Sequence, residues 1–154
     1  MLKVNDQIPS FEILTDKVPF KVSDHIGKKI VIFFFPKADT SGCTAESIAF
    51  TNLQKEFDQL NCIIIGISKD KPQKQAKFRE KYNLTCELGA DYENNVCEQF
   101  GVWVEKSMYG RKYMGIQRST FLCDEEGIVK KVWEKVKVPG HADEVLEAVR
   151  ELGN

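Results

Sequence analysis

The fold is decided by the run Ile30-Val-Ile-Phe-Phe-Phe35, which is followed at once by the polar loop Pro36-Lys-Ala-Asp-Thr40-Ser-Gly-Cys43. An unbroken apolar run of this kind is typical of a central strand that is covered on both faces. Residues 44–60 follow as a predicted helix, because apolar side chains recur there every three or four positions. In open α/β sheets, ligands bind at the carboxyl ends of the parallel strands. The loop after Phe35 is therefore the first place to look for chemistry.

The rest of the chain alternates between strand and helix patterns. The other predicted elements are a β-hairpin of residues 11–14 and 19–22, a buried strand at 62–67, a helix at 71–82, a short strand at 86–88, a helix at 94–100, a hairpin of 119–123 and 128–133, and a helix at 141–152. Residues 106–112 are expected to form a surface loop. This order predicts an α/β fold in which helices flank a mixed central β-sheet, with an N-terminal β-hairpin. The length of the chain favours a single domain over residues 1–154.

Charge and hydropathy exclude several classes of function. The formal net charge is −1, which gives no electrostatic reason to expect nucleic acid or an anionic membrane as a partner. Asp6 and Pro9 stand where a secretory signal would need its apolar core, and no later stretch predicts a membrane span. We therefore expect a cytoplasmic protein. The five cysteines show no pairing pattern and would lie in a reducing compartment, which argues against a disulfide framework.

Cys43 has the surroundings of an activated thiol. It falls at the start of the predicted helix, where unpaired backbone N–H groups and the helix dipole favour a negative charge. Gly42 allows close approach of a small substrate, and the Thr40 hydroxyl can donate to a thiolate or accept from a peroxide. A free thiol is only about 3% ionised at neutral pH, so full ionisation can raise a rate only about thirty-fold. A larger acceleration requires a fixed hydrogen-bond donor that stabilises the charge moving along the breaking O–O bond. Arg118 is the candidate donor, because it stands at the start of a predicted strand.

Spacing alone leaves an ordinary alternative open, since a cysteine at a helix start is more often an inert small hydrophobe. The combination is more specific, because Pro36, Thr40 and Cys43 reproduce the P-x-x-x-T/S-x-x-C signature of the peroxiredoxins. Further segments resemble the Q-type, or bacterioferritin-comigratory, subgroup. They are Phe33-Phe-Phe-Pro-Lys37, Asp39-Thr-Ser-Gly-Cys-Thr-Ala-Glu46, Val96-Cys-Glu-Gln-Phe-Gly-Val-Trp103, Lys106-Ser-Met-Tyr-Gly110, Gly115-Ile-Gln-Arg-Ser-Thr-Phe-Leu122 and Val136-Lys-Val-Pro-Gly-His141.

The resemblance implies a thioredoxin-like fold and a thiol-dependent peroxidase that reduces hydrogen peroxide and organic hydroperoxides. In that reading Cys43 attacks the distal peroxide oxygen and becomes a sulfenic acid. Thr40 orients the peroxide, Pro36 shields the sulfenic acid, and Arg118 polarises the peroxide and stabilises the thiolate. Glu46 matches a frequent acidic position of the family, one turn into the helix, which helps to organise the residues around the site. The resemblance implies no metal, haem or flavin.

The sequence departs from this subgroup in its second cysteine. Many members carry a resolving cysteine five residues after the first, where this chain has Ile48, and others carry it in a helix that here, over residues 75–83, has none. Cys86 and Cys97 stay open as resolving residues, and Cys62 and Cys123 are expected to be structural. The preferred hypothesis is a one-cysteine cycle, with thioredoxin, glutaredoxin or a low-molecular-weight thiol as reductant. A monomer is expected, with a weak dimer as the alternative.

Two other classes of function remain open. One is a redox sensor that passes oxidation of Cys43 to a partner protein by a mixed disulfide. The other is a chaperone-like binding protein. His25 and His141 are far apart and neither has cysteine at metal-ligand spacing, and the chain has no C-x-x-C pair. His141 is interpreted as a helix-start residue.

Overall fold

The computed structural model describes residues 1–153, which form nine strands and five α-helices. The strands are β1 (Glu12–Thr15), β2 (Phe20–Lys21), β3 (Lys29–Phe34), β4 (Cys62–Ser68), β5 (Glu87–Ala90), β6 (Trp103–Met108), β7 (Arg111–Ile116), β8 (Ser119–Cys123) and β9 (Val129–Trp133). The helices are α1 (Ser41–Asn52), α2 (Gln54–Gln59), α3 (Pro72–Tyr82), α4 (Val96–Phe100) and α5 (His141–Leu152).

A seven-stranded sheet runs in the order β2-β1-β5-β4-β3-β8-β9. Its centre is parallel, since β3 pairs with β4 and β4 with β5 in that sense, whereas β8 runs antiparallel to β3. The register places Ser119, the first residue of β8, opposite Phe34, the last residue of β3. The carboxyl ends of β3, β4 and β5 and the amino end of β8 therefore share one edge, which we call the upper edge. The antiparallel register thus delivers residue 118 to the loop that follows β3.

The sheet separates two apolar cores. Alternate residues of β3 serve both, because side chains point to opposite faces along a strand. Val31 and Phe33 pack with α1, α2, α3 and α5 on one face. Ile30 and Ile32 pack with α4 and the N-terminal segment on the other. Every residue of β3 is buried, as expected for a strand covered on both sides. The predicted mixed sheet with flanking helices is confirmed, including the hairpin of β1 and β2.

Three predicted elements need correction. The helix expected at 44–60 begins earlier, at Ser41, and is broken into α1 and α2 at Leu53 (φ −104°, ψ 9°). The expected surface loop at 106–112 was wrong: all but two of its residues lie in the antiparallel hairpin of β6 and β7. Tyr109 and Gly110 form its turn with φ of 52° and 78°, a pair of positive values that matches the twist of a hairpin. The short strand expected at 86–88 spans Glu87–Ala90 instead.

Within residues 1–153, no helix is long and apolar enough to cross a bilayer.

Candidate active site

The loop between β3 and α1 is held in place by the elements that follow β4. The Ala38 amide donates to the Asp70 carboxylate at 2.8 Å, and this oxygen also accepts from the Ser68 hydroxyl at 2.7 Å. Asp39 adopts a left-handed conformation (φ 62°), which is uncommon for residues other than glycine. Its carboxylate accepts from the Tyr82 hydroxyl at 2.6 Å and the Lys81 ammonium at 3.0 Å. Contacts to the connection between β4 and α3 and to α3 itself thus fix the geometry of the loop.

Cys43 lies in the first turn of α1, as predicted, and its side chain is fully buried. Thr40 is the N-cap residue, with extended backbone angles (φ −94°, ψ 156°). Its hydroxyl donates to the Lys37 carbonyl at 2.7 Å and makes no cap bond to the helix. The N–H groups of the first helical turn have no acceptor within a helix, so they are available to an anion or a peroxide oxygen. The Thr40 oxygen is left as an acceptor, one of the two roles that the sequence allowed.

Arg118 connects the cysteine to Glu46. Its Nη2 donates to the Cys43 Sγ at 3.4 Å, and its Nη1 donates to the Glu46 Oε1 at 2.7 Å. Burial lowers the pKa of Arg118, but the charges of Glu46 and Cys43 outweigh this and hold that pKa above its ordinary value. The guanidinium is therefore a permanent cation beside the sulfur. Its position follows from the register of β8 against β3, because Arg118 directly precedes Ser119.

Glu46 lies one turn into α1, and its carboxyl group is almost fully buried. Its Oε2 has no hydrogen-bond partner among the described residues. Burial raises the pKa of Glu46 to about 7, although the Arg118 guanidinium opposes the shift. The carboxyl group therefore titrates near neutral pH, where it sets how much of the charge of Arg118 is neutralised.

The titration of Glu46 predicts a measurable pH dependence of stability. An unfolded glutamate has a pKa of about 4.3, so between about pH 4.5 and 7 only the folded chain keeps a proton on Glu46. The free energy of unfolding contributed by this group should then fall by roughly 3 kcal/mol as the pH rises through that window. Glu46→Gln has no such proton. Urea unfolding from pH 5 to pH 8 should show the variant gaining stability relative to the unsubstituted protein, and a constant difference would contradict the assignment.

Glycine at position 42 is favoured because it leaves space for the Arg118 side chain, not because the backbone there is unusual. A Cβ at this position would stand 3.1 Å from Nη2 of Arg118. Its backbone is helical, so close packing and not a positive φ favours glycine here. Pro36 lies two residues after the end of β3 and is half-buried at the upper edge. Pro36, Thr40, Gly42, Cys43, Glu46 and Arg118 therefore all lie at this edge or in the first turns of α1.

The other four cysteines are buried free thiols in the described chain. Cys86 shares the core cluster of Cys43, whereas Cys97 lies in the cluster on the opposite face of the sheet. Burial raises the pKa of Cys86 to about 12, and burial with the nearby Asp91 also raises that of Cys97. Cys62 and Cys123 begin and end strands, and burial raises the pKa of each to about 12. All four therefore stay as thiols near neutral pH, the less nucleophilic form.

One charged residue beside Arg118 was not among the candidate site residues named from the sequence. Lys106 lies in β6. Its aliphatic side chain lies over the paired strand β7, because a Cβ on Gly115 would stand 3.2 Å from the Lys106 Cδ. Burial lowers the pKa of Lys106, and the charge of Arg118 lowers it further. The residues around Lys106 are polar, so β6 shows no alternation of apolar residues from which a strand could be predicted. The dipeptide Tyr109-Gly110, a glycine-containing turn between two short runs, is the signal that could have revealed it.

The histidines do not form part of a metal site among residues 1–153. The described residues contain no cluster of His, Cys, Asp or Glu that could hold a metal ion. His141 is the first residue of α5, as predicted, and its Nε2 lies 2.8 Å from the Thr120 hydroxyl. Burial lowers its pKa to about 4, so the imidazole is neutral near pH 7. The hydrogen bond between His141 and Thr120 joins α5 to β8, the strand that follows Arg118.

Comparison with known proteins gives consistent matches over the chain. The model of the AhpC/TSA family matches residues 4–132. A putative peroxiredoxin bcp of Coxiella burnetii is 43% identical over 146 residues, covering 94% of this chain and 97% of that protein. Peroxiredoxin Bcp of Bacillus subtilis is 41% identical over 152 residues, covering 98% and 97%. The solved structure of Xanthomonas campestris bacterioferritin comigratory protein, which has alkyl peroxide reduction activity, superposes with a TM-score of 0.91 at 35% identity, covering 99% of this chain and 100% of that one.

Proposed function

Since the chain belongs to the AhpC/TSA family and is a peroxiredoxin, a thiol-dependent peroxidase, we propose that it reduces hydrogen peroxide and organic hydroperoxides through Cys43. The family and the thioredoxin-like fold confirm the resemblance drawn from the sequence. The single observation that carries the role of Cys43 is the Arg118 guanidinium, which donates both to its sulfur and to the buried Glu46.

In the proposed reaction the Cys43 thiolate attacks the distal oxygen of a hydroperoxide. The S–O bond forms as the O–O bond breaks, and the departing oxygen takes up a proton to leave as water or an alcohol. Cys43 is oxidised to the sulfenic acid and the peroxide is reduced. Arg118 stabilises the negative charge as it moves from sulfur to the leaving oxygen, which is where a preorganised donor has the largest effect.

The neighbouring groups fit supporting roles in this step. Thr40 offers its hydroxyl oxygen to the peroxide O–H, because its own proton is donated to Lys37. The free N–H groups at the start of α1, Gly42 among them, face the same region and favour an anion. Pro36 covers the sulfenic acid against further oxidation. Glu46 fixes one side of the guanidinium and so aims the other side at Cys43.

We propose a one-cysteine cycle, in which an external thiol reduces the sulfenic acid. The supporting observation is the burial of Cys86 and Cys97 as neutral thiols, the second of them across the sheet from Cys43. The reductant is a thiol, with thioredoxin, glutaredoxin and small thiols as candidates. The compared proteins give no support to the redox-sensor alternative. A cytoplasmic location and a monomeric state stay predictions, and a chaperone-like activity stays an untested alternative.

A variant without either candidate resolving cysteine tests this cycle. Cys86→Ala combined with Cys97→Ala should consume peroxide with dithiothreitol at a rate within about two-fold of the unsubstituted protein, because neither sulfur takes part. Urea unfolding of the same variant checks that the two core substitutions leave it folded. If intact mass after one equivalent of peroxide, without reductant, showed an intramolecular disulfide in the unsubstituted protein and none in the variant, one of these cysteines would be the resolving residue.

A further inference from the structure

Four lysines line an open groove beside the active-site loop. The groove has a volume of about 580 Å³ and is lined by Lys69, Asp70, Lys71, Gln73, Lys74 and Lys77. It lies at the upper edge of the sheet, where β4 ends and α3 begins. Because β3 and β4 are adjacent and parallel, the groove borders the loop that leads to Cys43. We call Lys71, Lys74 and Lys77 together the lysine face.

The positive charge of this face is not balanced locally. The three lysines are exposed, and none forms an ion pair within residues 1–153. Lys69 differs, since it pairs with Glu98 at 2.7 Å and Asp91 at 3.4 Å. Asp70 is the one acidic residue of the described lining, and its carboxylate is already bonded to Ser68 and Ala38. In a chain of net charge −1, this is a local concentration of uncompensated cations.

The groove is joined to the active-site loop by direct contacts. Asp70 holds the Ala38 amide at 2.8 Å, and Lys81 on α3 holds the Asp39 carboxylate at 3.0 Å. The Tyr82 hydroxyl, also on α3, donates to the same carboxylate at 2.6 Å. A macromolecule that occupies the groove would therefore also touch the loop that carries Cys43.

We propose that the lysine face is the docking surface for a protein dithiol whose own reactive thiol is surrounded by acidic side chains. This inference rests on the proposed function, which requires an external thiol. The docked thiolate attacks the sulfenic sulfur of Cys43, so that a mixed disulfide forms and water leaves. The second thiol of the partner then attacks the partner's sulfur, which releases Cys43 as a thiol and leaves the partner as a disulfide.

Charge complementarity is the argument for an acidic protein. Unpaired lysines steer an oppositely charged partner and increase the rate of association, an effect that salt screens. The near-neutral charge of the whole chain disfavours general binding of polyanions. Small neutral thiols reach the sulfur without the groove, so their rates should not depend on it.

The test is charge reversal in Lys71→Glu/Lys74→Glu/Lys77→Glu. Peroxide reduction is followed with thioredoxin or glutaredoxin, each with its reductase system, and separately with dithiothreitol. We expect kcat/KM for at least one protein reductant to fall about tenfold or more at low salt, and the difference to shrink at high salt. The rate with dithiothreitol should stay unchanged. A matched control, Lys17→Glu/Lys28→Glu/Lys55→Glu, reverses three exposed lysines that form no ion pair in the described chain and lie away from the upper edge.

The outcomes separate the two proposals. If the variant kept its kcat/KM for both protein reductants, or if the control lost as much, the docking surface would be refuted while the peroxidase stood. Loss of binding to heparin or to anionic vesicles, with both protein reductants unaffected, would also refute it and indicate a polyanion instead. Failure of the unsubstituted protein to reduce peroxide with dithiothreitol would refute the proposed function itself.

Discussion

A Cys43→Ser variant should lose hydroperoxide reduction almost entirely, by at least about 10⁴-fold in kcat/KM, as expected when a catalytic nucleophile is removed. Serine keeps the shape of the side chain, but its hydroxyl is not ionised at neutral pH and cannot form a sulfenic acid. The fold should survive, because the Arg118 guanidinium can donate to the new oxygen as it does to the sulfur. Steady-state peroxide consumption with dithiothreitol measures the loss.

The control for this variant is Cys123→Ser, which changes a buried cysteine at the end of β8 on the other face of the sheet. It should keep its rate with dithiothreitol, although a buried hydroxyl can cost about 1–3 kcal/mol of stability. Urea unfolding separates the effect on stability from the effect on rate. A Cys43→Ser variant that kept a substantial rate would show that another group reduces the peroxide.

Arg118→Met should lower kcat/KM by about 10²–10³-fold, the usual effect of removing a preorganised donor from a developing oxyanion. Thiol ionisation alone accounts for at most about thirty-fold at neutral pH, since a free thiol is about 3% ionised there. A larger loss would therefore show that Arg118 also acts on the breaking O–O bond. Stopped-flow oxidation of the reduced chain measures this step without the reductant.

The matched variant for Arg118 removes its partner as well. Arg118→Met alone leaves Glu46 buried without its cation, so part of any loss could come from destabilisation. Arg118→Met/Glu46→Gln should regain stability in urea unfolding but not rate. Gly42→Ala gives a milder form of the same test, since its Cβ would lie 3.1 Å from Nη2 and displace the guanidinium. A full rate in the double variant would refute the catalytic role of Arg118.

The parts of the fold that the sequence predicts are those with strong local patterns. The apolar runs at β3 and β4 have only one good structural solution, a strand buried on both faces. The closing helix α5 spans the residues that its apolar stripe predicts. The hairpin of β6 and β7 lacks such a pattern, because its strands are mostly exposed and polar, so periodicity could not find it. The break at Leu53 interrupts a continuous apolar stripe and was equally hidden.

The candidate site likewise has a part that local sequence predicts and a part that it does not. The placement of Cys43 at a helix start follows from local sequence, and the family resemblance adds Arg118 and Glu46. The contacts that hold the loop cannot be predicted from local sequence. Ala38 contacts Asp70, and Asp39 contacts Lys81, although the partners are far apart in the chain. The lysine face is likewise visible only once α3 has been placed beside the loop. Residues that meet through tertiary packing leave no periodic signal in one sequence.

Cys43 is expected to be the one cysteine that reacts with peroxide, and an external thiol is expected to reduce it afterwards. Intact mass and peptide mapping after one equivalent of hydrogen peroxide test this expectation most directly. We expect a single added oxygen, trapped as a sulfenic acid on Cys43, with the other four cysteines unmodified. A loss of two hydrogens, with Cys43 linked to Cys86 or Cys97, would contradict the one-cysteine cycle. Oxidation without preference for Cys43 would show that this cysteine is not the nucleophile of a peroxidase.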